Sequence, residues 1–482
     1  MTPAPLTWST VAPAIAEIAL TCAICLVLMV DVFAGERRRG LTITLTLVSL
    51  AASAALLIAY GQVGGRVVLF DGLYVEDTLG FVLKLAGFLF LAVVLLYSRS
   101  YMEQRQILRG EYCVLLLTAL LGIFVLVSAN NLLTVYIGVE LLALSVYAII
   151  AFDRDNPIAA ESAMKYFVLS AIASGALLYG MSMIYGLTGT LALDELATRL
   201  SAGALSPGVI LGLVFIVVAV GFKLGVVPFH MWLPDVYQGA PTSVTLFVST
   251  VPQIAYFSLF LRLLTHGLAG ASHQWSQMFI PLAVLTLVIG NVVAIVQSNL
   301  KRMLAYSTIG NVGFIVLGFI TGTPGGYSAA LYYTLVYVLM VLGSFGVILL
   351  ASRKGFEADE LDHYKGLYSR DPMLALVMLV LMFSTAGVPP FVGFWAKLRI
   401  IQELWATDHP VLVGIAAGIS VIGCFYYLRI VKLMYFDPAP EGIPQPQPAG
   451  AARFALGLNA LAVIGLGVLP GPLLALCAGL IH

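Results

Sequence analysis

The stretch Gly221-Phe-Lys-Leu-Gly-Val-Val-Pro-Phe229 decides the fold, because it places a lysine and a proline inside a long apolar run. Proline lacks an N–H, and its ring clashes with the carbonyl four residues earlier, so a helix must break there. A related stretch, Gly387-Val-Pro-Pro-Phe391, lies in a later apolar run and is followed by Lys397. The sequence therefore predicts two broken helices, each with a lysine beside the break.

The composition shows which solvent surrounds these helices. Of the 482 residues, 61% are hydrophobic and only 10% are charged, and the formal net charge is zero. Soluble globular proteins carry about 25% charged residues, so this chain has too little charge to cover a surface in water. It is predicted to be a polytopic membrane protein. The balanced charge gives no reason to expect a nucleic acid partner, and no nucleotide-binding or metal-ligand motif is present.

Fourteen apolar runs are long enough to cross a bilayer, which takes about 20 residues per helix. They lie near residues 10–32, 41–60, 78–98, 112–129, 131–151, 162–187, 207–230, 242–264, 277–298, 303–321, 327–351, 372–399, 411–434 and 454–479.

The distribution of basic residues predicts the orientation of the spans, because arginine and lysine concentrate in cytoplasmic loops. Fourteen of the 24 fall in alternate loops: Arg37, Arg38, Arg39, Arg99, Arg105, Arg109, Arg154, Lys301, Arg302, Arg353, Lys354, Lys365, Arg370 and Arg453. Both termini are therefore predicted to be on the outer side of the membrane.

An internal repeat relates the two breaks. Three fragments of the first half recur in order in the second half, at offsets of about 162 to 169 residues. The offset covers five spans, an odd number, so the second copy must be inverted relative to the first. The predicted fold is an all-α integral membrane protein with two inverted five-helix repeats, each with a broken helix. Its segments are 1–111 (three helices), 112–265 and 276–436 (the repeats), and 437–482 (a Pro-rich loop and the last helix).

Three ionisable residues fall deep inside these spans, where each costs about 2.5–3.5 kcal/mol or more at the helix centre. Glu140 lies mid-span, Lys223 just before the first break, and Lys397 just after the second. Burial disfavours the charged form of a lysine, whereas a nearby carboxylate favours it. Movement of Glu140 relative to Lys223 would therefore switch the lysine between proton uptake and release. The chemistry suits proton transfer.

For the other ionisable residues in the spans, both a role in proton transfer and a purely structural contact remain open. Lys165 could assist the transfer, or could form an interfacial ion pair with the glutamate one helical turn earlier. His230 could pass protons from Lys223 to the later half, or make a structural hydrogen bond. For Lys84, Glu17 and Arg429, snorkelling or a local partner is as good an explanation as function.

Four long motifs resemble the antiporter-like membrane subunits of respiratory complex I. They are Ala163-Met-Lys-Tyr-Phe-Val-Leu-Ser-Ala-Ile-Ala-Ser-Gly175, the stretch from Gly221 to Pro241, Asn299-Leu-Lys-Arg-Met-Leu-Ala-Tyr-Ser307, and Ala386-Gly-Val-Pro-Pro-Phe-Val-Gly-Phe-Trp-Ala-Lys397. The resemblance covers most of the chain. This sequence resembles the shorter members of the family. The distal member has a long C-terminal lateral helix and extra spans, which are not found among the fourteen spans predicted here.

The resemblance implies roles for the candidate residues. Glu140 corresponds to the glutamate of the fifth helix, and Lys223 and Lys397 to the lysines of the broken seventh and twelfth helices. The family also has a lysine in the eighth helix that links the two half-channels, and Gln253 replaces it here. A neutral amide can order water but cannot hold a proton. His230, Tyr256 or water would have to bridge the gap.

The resemblance further implies a proton-translocating subunit of a bacterial inner-membrane NADH:quinone oxidoreductase. NADH, FMN, iron–sulfur clusters and quinone would be bound by partner subunits, with no cofactor on this chain. The alternative is a cation/proton antiporter, or a subunit of one, without redox coupling. A purely structural scaffold is a weaker option, because it gives no reason for lysines at two helix breaks.

Overall fold

A computed structural model describes residues 11–34, 39–61, 64–446 and 450–481. Arg37 and Arg38, counted above in a predicted loop, lie outside the described residues, as does part of the Pro-rich segment. The described chain forms these helices: α1 (Ile15–Ala34), α2 (Arg39–Tyr60), α3 (Thr78–Arg105), α4 (Gly110–Val127), α5 (Leu132–Ile150), α6 (Pro157–Thr188), α7 (Leu193–Ser201), α8 (Pro207–Leu224), α9 (Trp232–Gly239), α10 (Thr242–Val248), α11 (Pro252–Leu259), α12 (Ser272–Ile295), α13 (Leu300–Ile320), α14 (Pro324–Ala351), α15 (Leu367–Arg370), α16 (Pro372–Ala386), α17 (Val392–Ala406), α18 (Pro410–Phe436), α19 (Gly450–Val468) and α20 (Gly471–Leu480).

The predicted helical membrane fold is confirmed. Thirteen helical segments of the described chain are long and apolar enough to cross a membrane. The shorter helices α16 and α17, of 15 residues each, face each other across the second break and together have the length of one more span. A two-stranded antiparallel hairpin, β1 (Val67–Leu69) and β2 (Tyr74–Glu76), joins α2 to α3.

Polar contacts define the two ends of the bundle. At the end that carries the hairpin, which we call the hairpin face, Asp194 on α7 binds Arg66 and His266 at 2.7 and 2.8 Å. At the opposite face, Glu357 pairs with Arg105 and accepts a hydrogen bond from Thr242. Residues 479–481 border the same cavity as Arg66, so the last described residues lie on the hairpin face.

Both predicted breaks occur where the sequence places them. Gly225 follows the last residue of α8 and Gly387 the last residue of α16, and both capping glycines adopt left-handed backbone conformations, with φ of +78° and +89°. This conformation strains residues that carry a Cβ. The chain resumes as α9 after the first break and as α17 after the second.

Side chains and nearby carbonyls satisfy the backbone freed by the breaks. At the first, Val227 N donates to the Thr286 hydroxyl at 3.0 Å, and Trp232 Nε1 donates to the Phe222 carbonyl at 3.0 Å. At the second, Gly393 N donates to Ser384 Oγ at 3.1 Å. Protein therefore replaces the water that the hydrocarbon core cannot supply.

Two other predicted spans are less regular than the sequence indicates. The eighth, expected as one run over 242–264, consists of α10, α11 and a π-helix over Phe260–Gly267. Pro252 begins α11 and has no N–H to continue the preceding helix. The last span is divided between α19 and α20 by Leu469 and Pro470.

The close packing at the second break predicts that Gly393→Ala destabilises the protein. A Cβ at Gly393 would lie 1.9 Å from the Ser384 carbonyl oxygen, so α16 and α17 would have to move apart. Overpacking of this kind costs about 1–3 kcal/mol. The thermal unfolding midpoint of the detergent-purified protein should fall. Gly418→Ala in α18, where nothing lies within 4 Å of the added Cβ, is the control. Equal midpoints for the two variants would contradict the prediction.

Candidate functional site

Lys223 occupies the last turn of α8 and is only 2% exposed. Its ammonium donates a 2.9 Å hydrogen bond to Ser170 Oγ on α6. Within the described ranges, no carboxylate forms a salt bridge with Lys223. Its position follows from the local sequence, since the helix must end at Gly225 and the lysine points back along the final turn into the bundle. The structure thus buries a lysine against a neutral partner.

Glu140 is the nearest source of compensating charge for this lysine. It lies on α5, half-buried, within electrostatic range of Lys223 but not in a direct ion pair. Its Oε1 atom is buried and has no hydrogen-bond partner. An unpartnered carboxylate oxygen beside a lysine held only by a hydroxyl leaves room for a proton, or for a water that carries one. The predicted Glu140–Lys223 pair is therefore close in space.

A line of aromatic and hydroxyl side chains leads from Lys223 toward the eighth span. Tyr147 lies close to Ser170, the partner of Lys223, and its ring lies 5.2 Å from that of Tyr166. Tyr166 in turn lies within electrostatic range of Tyr256, one turn after Gln253 on α11. Tyr256 and Gln253 are both only 4% exposed.

The line continues in the second half of the chain. Tyr237 lies within electrostatic range of Tyr256 and close to Thr308, which accepts a 2.6 Å hydrogen bond from the Tyr337 hydroxyl. Tyr337 lies near Tyr333 and Tyr427.

Asn311 and Ser307 join the last two tyrosines. The Tyr333 hydroxyl donates to Asn311 Oδ1 at 2.7 Å, and Asn311 Nδ2 reaches Ser307 Oγ at 3.3 Å. Ser307 Oγ and the Tyr427 hydroxyl are 2.5 Å apart. We call this whole set the hydroxyl chain; its members are Ser170, Tyr147, Tyr166, Tyr256, Tyr237, Thr308, Tyr337, Tyr333, Asn311, Ser307 and Tyr427.

Lys397 lies at the far end of the hydroxyl chain. It is half-buried on α17, and its ammonium donates to the Ala386 carbonyl, the last of α16, at 2.9 Å. Cys424 also contacts that carbonyl and lies within electrostatic range of both Lys397 and Tyr427. Like Lys223, Lys397 forms no ion pair within the described part of the chain. Both lysines are therefore held by neutral groups beside a helix break.

The supporting candidates divide into two groups. Lys165 is exposed and forms the predicted ion pair with Glu161 at 3.0 Å, and a second with Asp235 at 3.0 Å, which also binds Arg302. It belongs to the opposite face rather than to the lysine at the break. His230 is half-buried and interacts with the backbone of Pro228. No contact in the described chain joins His230 to Lys223.

Two features of the site escaped the sequence analysis. The sequence analysis placed Lys301 in a loop, but α13 begins at Leu300, and Lys301 is 3% exposed with its ammonium on the Ala240 carbonyl at 2.7 Å. The capping residue Asn299 was the available signal. The hydroxyl chain was also missed apart from Tyr256, because its members come from distant segments and share no spacing.

Comparison with known proteins identifies the family. A family model described as NADH:quinone oxidoreductase/Mrp antiporter, transmembrane, matches residues 129–423. The chain belongs to this family. It is 51% identical over 474 residues to NADH-quinone oxidoreductase subunit N of Thiobacillus denitrificans, covering 98% of both sequences. Subunit N of Acidithiobacillus ferrooxidans is likewise 51% identical, over 469 residues and 96% of both sequences. The chain falls in the subunit N branch of the antiporter-like family.

A solved structure agrees with this assignment. A chain of respiratory complex I from Thermus thermophilus, solved with bound aureothin, superposes with a TM-score of 0.82 and is 31% identical, covering 96% of this chain and 99% of that one. The family match spans both helix breaks, Glu140, both lysines and the hydroxyl chain, except Tyr427 at its far end. The N-terminal helices α1 to α3 lie outside the matched residues.

Proposed function

We propose that this chain is a proton-translocating membrane subunit of an NADH:quinone oxidoreductase. The observation that carries the proposal is Lys223, which is buried at a helix break, bonded only to a hydroxyl, and within electrostatic range of Glu140. A lysine in such a place can exist in either protonation state, because no carboxylate holds it permanently charged. Near-full-length similarity to subunit N of NADH-quinone oxidoreductases supports the wider setting.

The energy source is proposed to lie on other subunits. The chain itself is a bundle of membrane helices, and its described residues hold no cluster of His, Cys, Asp or Glu that would suit a metal ion. NADH oxidation, with its FMN and iron–sulfur clusters, and quinone reduction would belong to partners in the complex. Electron transfer there would act on this chain by shifting charge near Glu140, which in turn changes whether Lys223 binds or releases a proton. The chain would be part of the enzyme without a redox site of its own.

The proposed path between the two lysines runs along the hydroxyl chain. Gln253 stands where the family has a lysine, so a direct relay through three lysines is not available. Hydroxyl groups both donate and accept hydrogen bonds, so a line of them can pass a proton by successive reorientation. Tyr166 and Tyr256 connect the Lys223 end to the eighth span, and Tyr337 and Tyr427 continue toward Lys397.

The proposed location is the bacterial inner membrane, with the hairpin face toward the periplasm. The excess of arginine and lysine on the opposite face supports this orientation. The partners would be the other membrane subunits of the complex and the lipid bilayer. Half-buried Glu140 lies on α5, where exposed Leu133, Ile137 and Leu144 present an apolar surface that suits contact with lipid or a neighbouring subunit.

A cation/proton antiporter without redox coupling is the second candidate. The matched family includes Mrp antiporters by its description, and buried lysines at broken helices suit either function. Sodium-dependent proton exchange by the isolated chain in vesicles would favour the antiporter. Co-purification with NADH dehydrogenase activity would favour the redox complex.

Lys223→Met in the assembled complex should abolish or sharply reduce quinone-dependent proton pumping. Methionine fills a similar volume but cannot bind a proton. Glu140→Gln should have a similar effect, because the carboxylate that stabilises the charged lysine is lost. Pumping can be followed by a pH-sensitive dye in membrane vesicles that oxidise NADH.

Lys165→Gln is the matched control. It removes an exposed lysine whose ion pairs are screened by solvent and contribute little to stability, and Asp235 keeps its bond to Arg302. Pumping should remain close to that of the unmodified complex. Full pumping by both Lys223→Met and Glu140→Gln would refute the proposed role of the pair.

Tyr256→Phe should slow proton transfer between the two halves by about tenfold or more, because it removes a hydroxyl that relays the proton. Adding Gln253→Lys to Tyr256→Phe should restore pumping, since it returns a proton-binding group one helical turn away. The ratio of protons pumped to NADH oxidised is the quantity to measure. Tyr179→Phe, an exposed tyrosine outside the hydroxyl chain, is the control. Normal pumping by Tyr256→Phe would exclude the proposed path.

A further inference from the structure

A second group of buried ionisable side chains lies outside the repeats, among α1, α3 and the hairpin. Lys84 on α3 is fully buried, and its ammonium contacts Glu17 Oε1 at 2.8 Å, the Tyr74 hydroxyl at 2.7 Å, and Glu76. Glu76 is also completely buried, and Glu17 is 9% exposed. We call Glu17, Tyr74, Glu76 and Lys84 the N-terminal cluster. It lies before residue 129, where the family match begins.

The N-terminal cluster contains one more carboxylate than it has cations. With both glutamates ionised and the lysine charged, the buried group would carry a net charge of −1. Burial of an uncompensated charge is strongly unfavourable, and such a group normally binds or loses a proton instead. One additional proton on the carboxylates would make the cluster neutral.

The hydrogen-bond geometry also lacks one donor. The Tyr74 hydroxyl lies 3.0 Å from Glu17 Oε2 and 2.9 Å from Glu76 Oε2, but it has a single proton and can donate to one of them at a time. Ser128 Oγ reaches Glu76 Oε2 only at 3.5 Å. Glu76 Oε1 is buried and has no partner. A protonated carboxyl group would supply the missing donor.

Nearby charged groups do not change this balance. Asp77 pairs with Arg262 at 2.6 Å, so that arginine is already compensated. Between residues 40 and 59, α2 carries no titratable side chain, and neither does α4 between residues 114 and 127. Burial raises the pKa of Glu76 and the charge of Glu17 raises it further, although Lys84 opposes the shift. The surroundings of Glu76 therefore favour its protonated form.

A cavity gives the cluster access to the hairpin face. Its volume is about 570 Å³, and Arg66, Asp77, Arg262 and His266 are among the residues that line it. Asp77 lines the cavity, and its carboxylate lies near that of Glu76, because a Cβ placed on Gly80 would lie 3.2 Å from Asp77 Oδ1 and 3.9 Å from Glu76 Oε2. Water in the cavity would therefore reach Asp77, the residue that follows Glu76 in the chain.

We propose that the N-terminal cluster is a second proton-binding site, which holds one proton shared by Glu17 and Glu76 and exchanges it with the cavity beside Asp77. The occupancy of this site does not depend on the function proposed above. Its use in translocation does, since a proton released or taken up at the hairpin face would pass next to it.

Infrared difference spectroscopy of the intact purified complex tests the proposal. A protonated carboxyl group shows a carbonyl stretch that shifts in D2O, whereas a carboxylate does not. The unmodified complex at neutral pH should show such a band. Glu76→Gln and Glu17→Gln should each lose it, because the remaining glutamate then pairs one-to-one with Lys84 and ionises. Either variant suffices, so failure of one to assemble leaves the test intact.

Asp371→Asn is the matched control. Asp371 is a buried carboxylate paired one-to-one with Arg453, so its replacement should leave the band unchanged. The double variant Glu17→Gln/Glu76→Gln should assemble poorly or unfold at a lower temperature, because Lys84 loses both counter-charges. A spectrum that is the same in the unmodified complex and both single variants would overturn the proposal.

Pumping measurements separate this proposal from the first one. If Lys223→Met pumps normally while the carboxyl band depends on Glu17 and Glu76, the proposed function fails and the proton-binding site stands. If Lys223→Met stops pumping and the band is absent, the reverse holds. Loss of pumping in Glu76→Gln, with NADH oxidation retained, would place the site on the translocation route; normal pumping would remove that role.

Discussion

The hydrocarbon core of a membrane offers no hydrogen-bonding partner, and this constraint determines how the rest of the structure is built. Each helix break needs a polar group from elsewhere in the protein. Thr286 meets the first break and Ser384 the second. Because those groups must come from neighbouring helices, the breaks draw α12 toward α8 and hold α16 against α17. Other hydroxyl groups, those of the hydroxyl chain, lie between the two lysines.

The buried lysines differ in whether a carboxylate compensates their charge. Lys84 touches two carboxylates and a tyrosine hydroxyl, so its positive charge is held in place. In the described part of the chain, Lys223 donates to a hydroxyl and Lys397 to a carbonyl, and neither forms a salt bridge. A lysine without a carboxylate partner is the one that can change its protonation state when a nearby charge moves. The proposed proton transfer therefore uses lysines that lack a carboxylate partner, whereas the proposed proton-binding site of the N-terminal cluster rests on an excess of carboxylate.

Much of this protein could be predicted from the order of its residues. Membrane insertion followed from the low charge content, and the two breaks from proline within apolar runs, because both effects act locally. Glu140, Lys223 and Lys397 stood out for the same reason: an ionisable residue in the middle of an apolar span is costly wherever the span is placed. Lys301 was misplaced because burial at the start of a helix depends on what packs against it, here the carbonyl of Ala240.

The sequence by itself determined that the chain is a bundle of membrane spans, and it gave the positions of the two breaks and the three central ionisable residues. Only the tertiary structure decided which groups those residues meet. Ser170 reaches Lys223 from α6, and Tyr166 and Tyr256 meet beside Gln253 from different spans. Glu17 and Glu76 approach one lysine from a helix and a hairpin. Local sequence controls backbone breaks and burial cost, whereas hydrogen bonds between distant segments depend on helix packing, which no local spacing encodes.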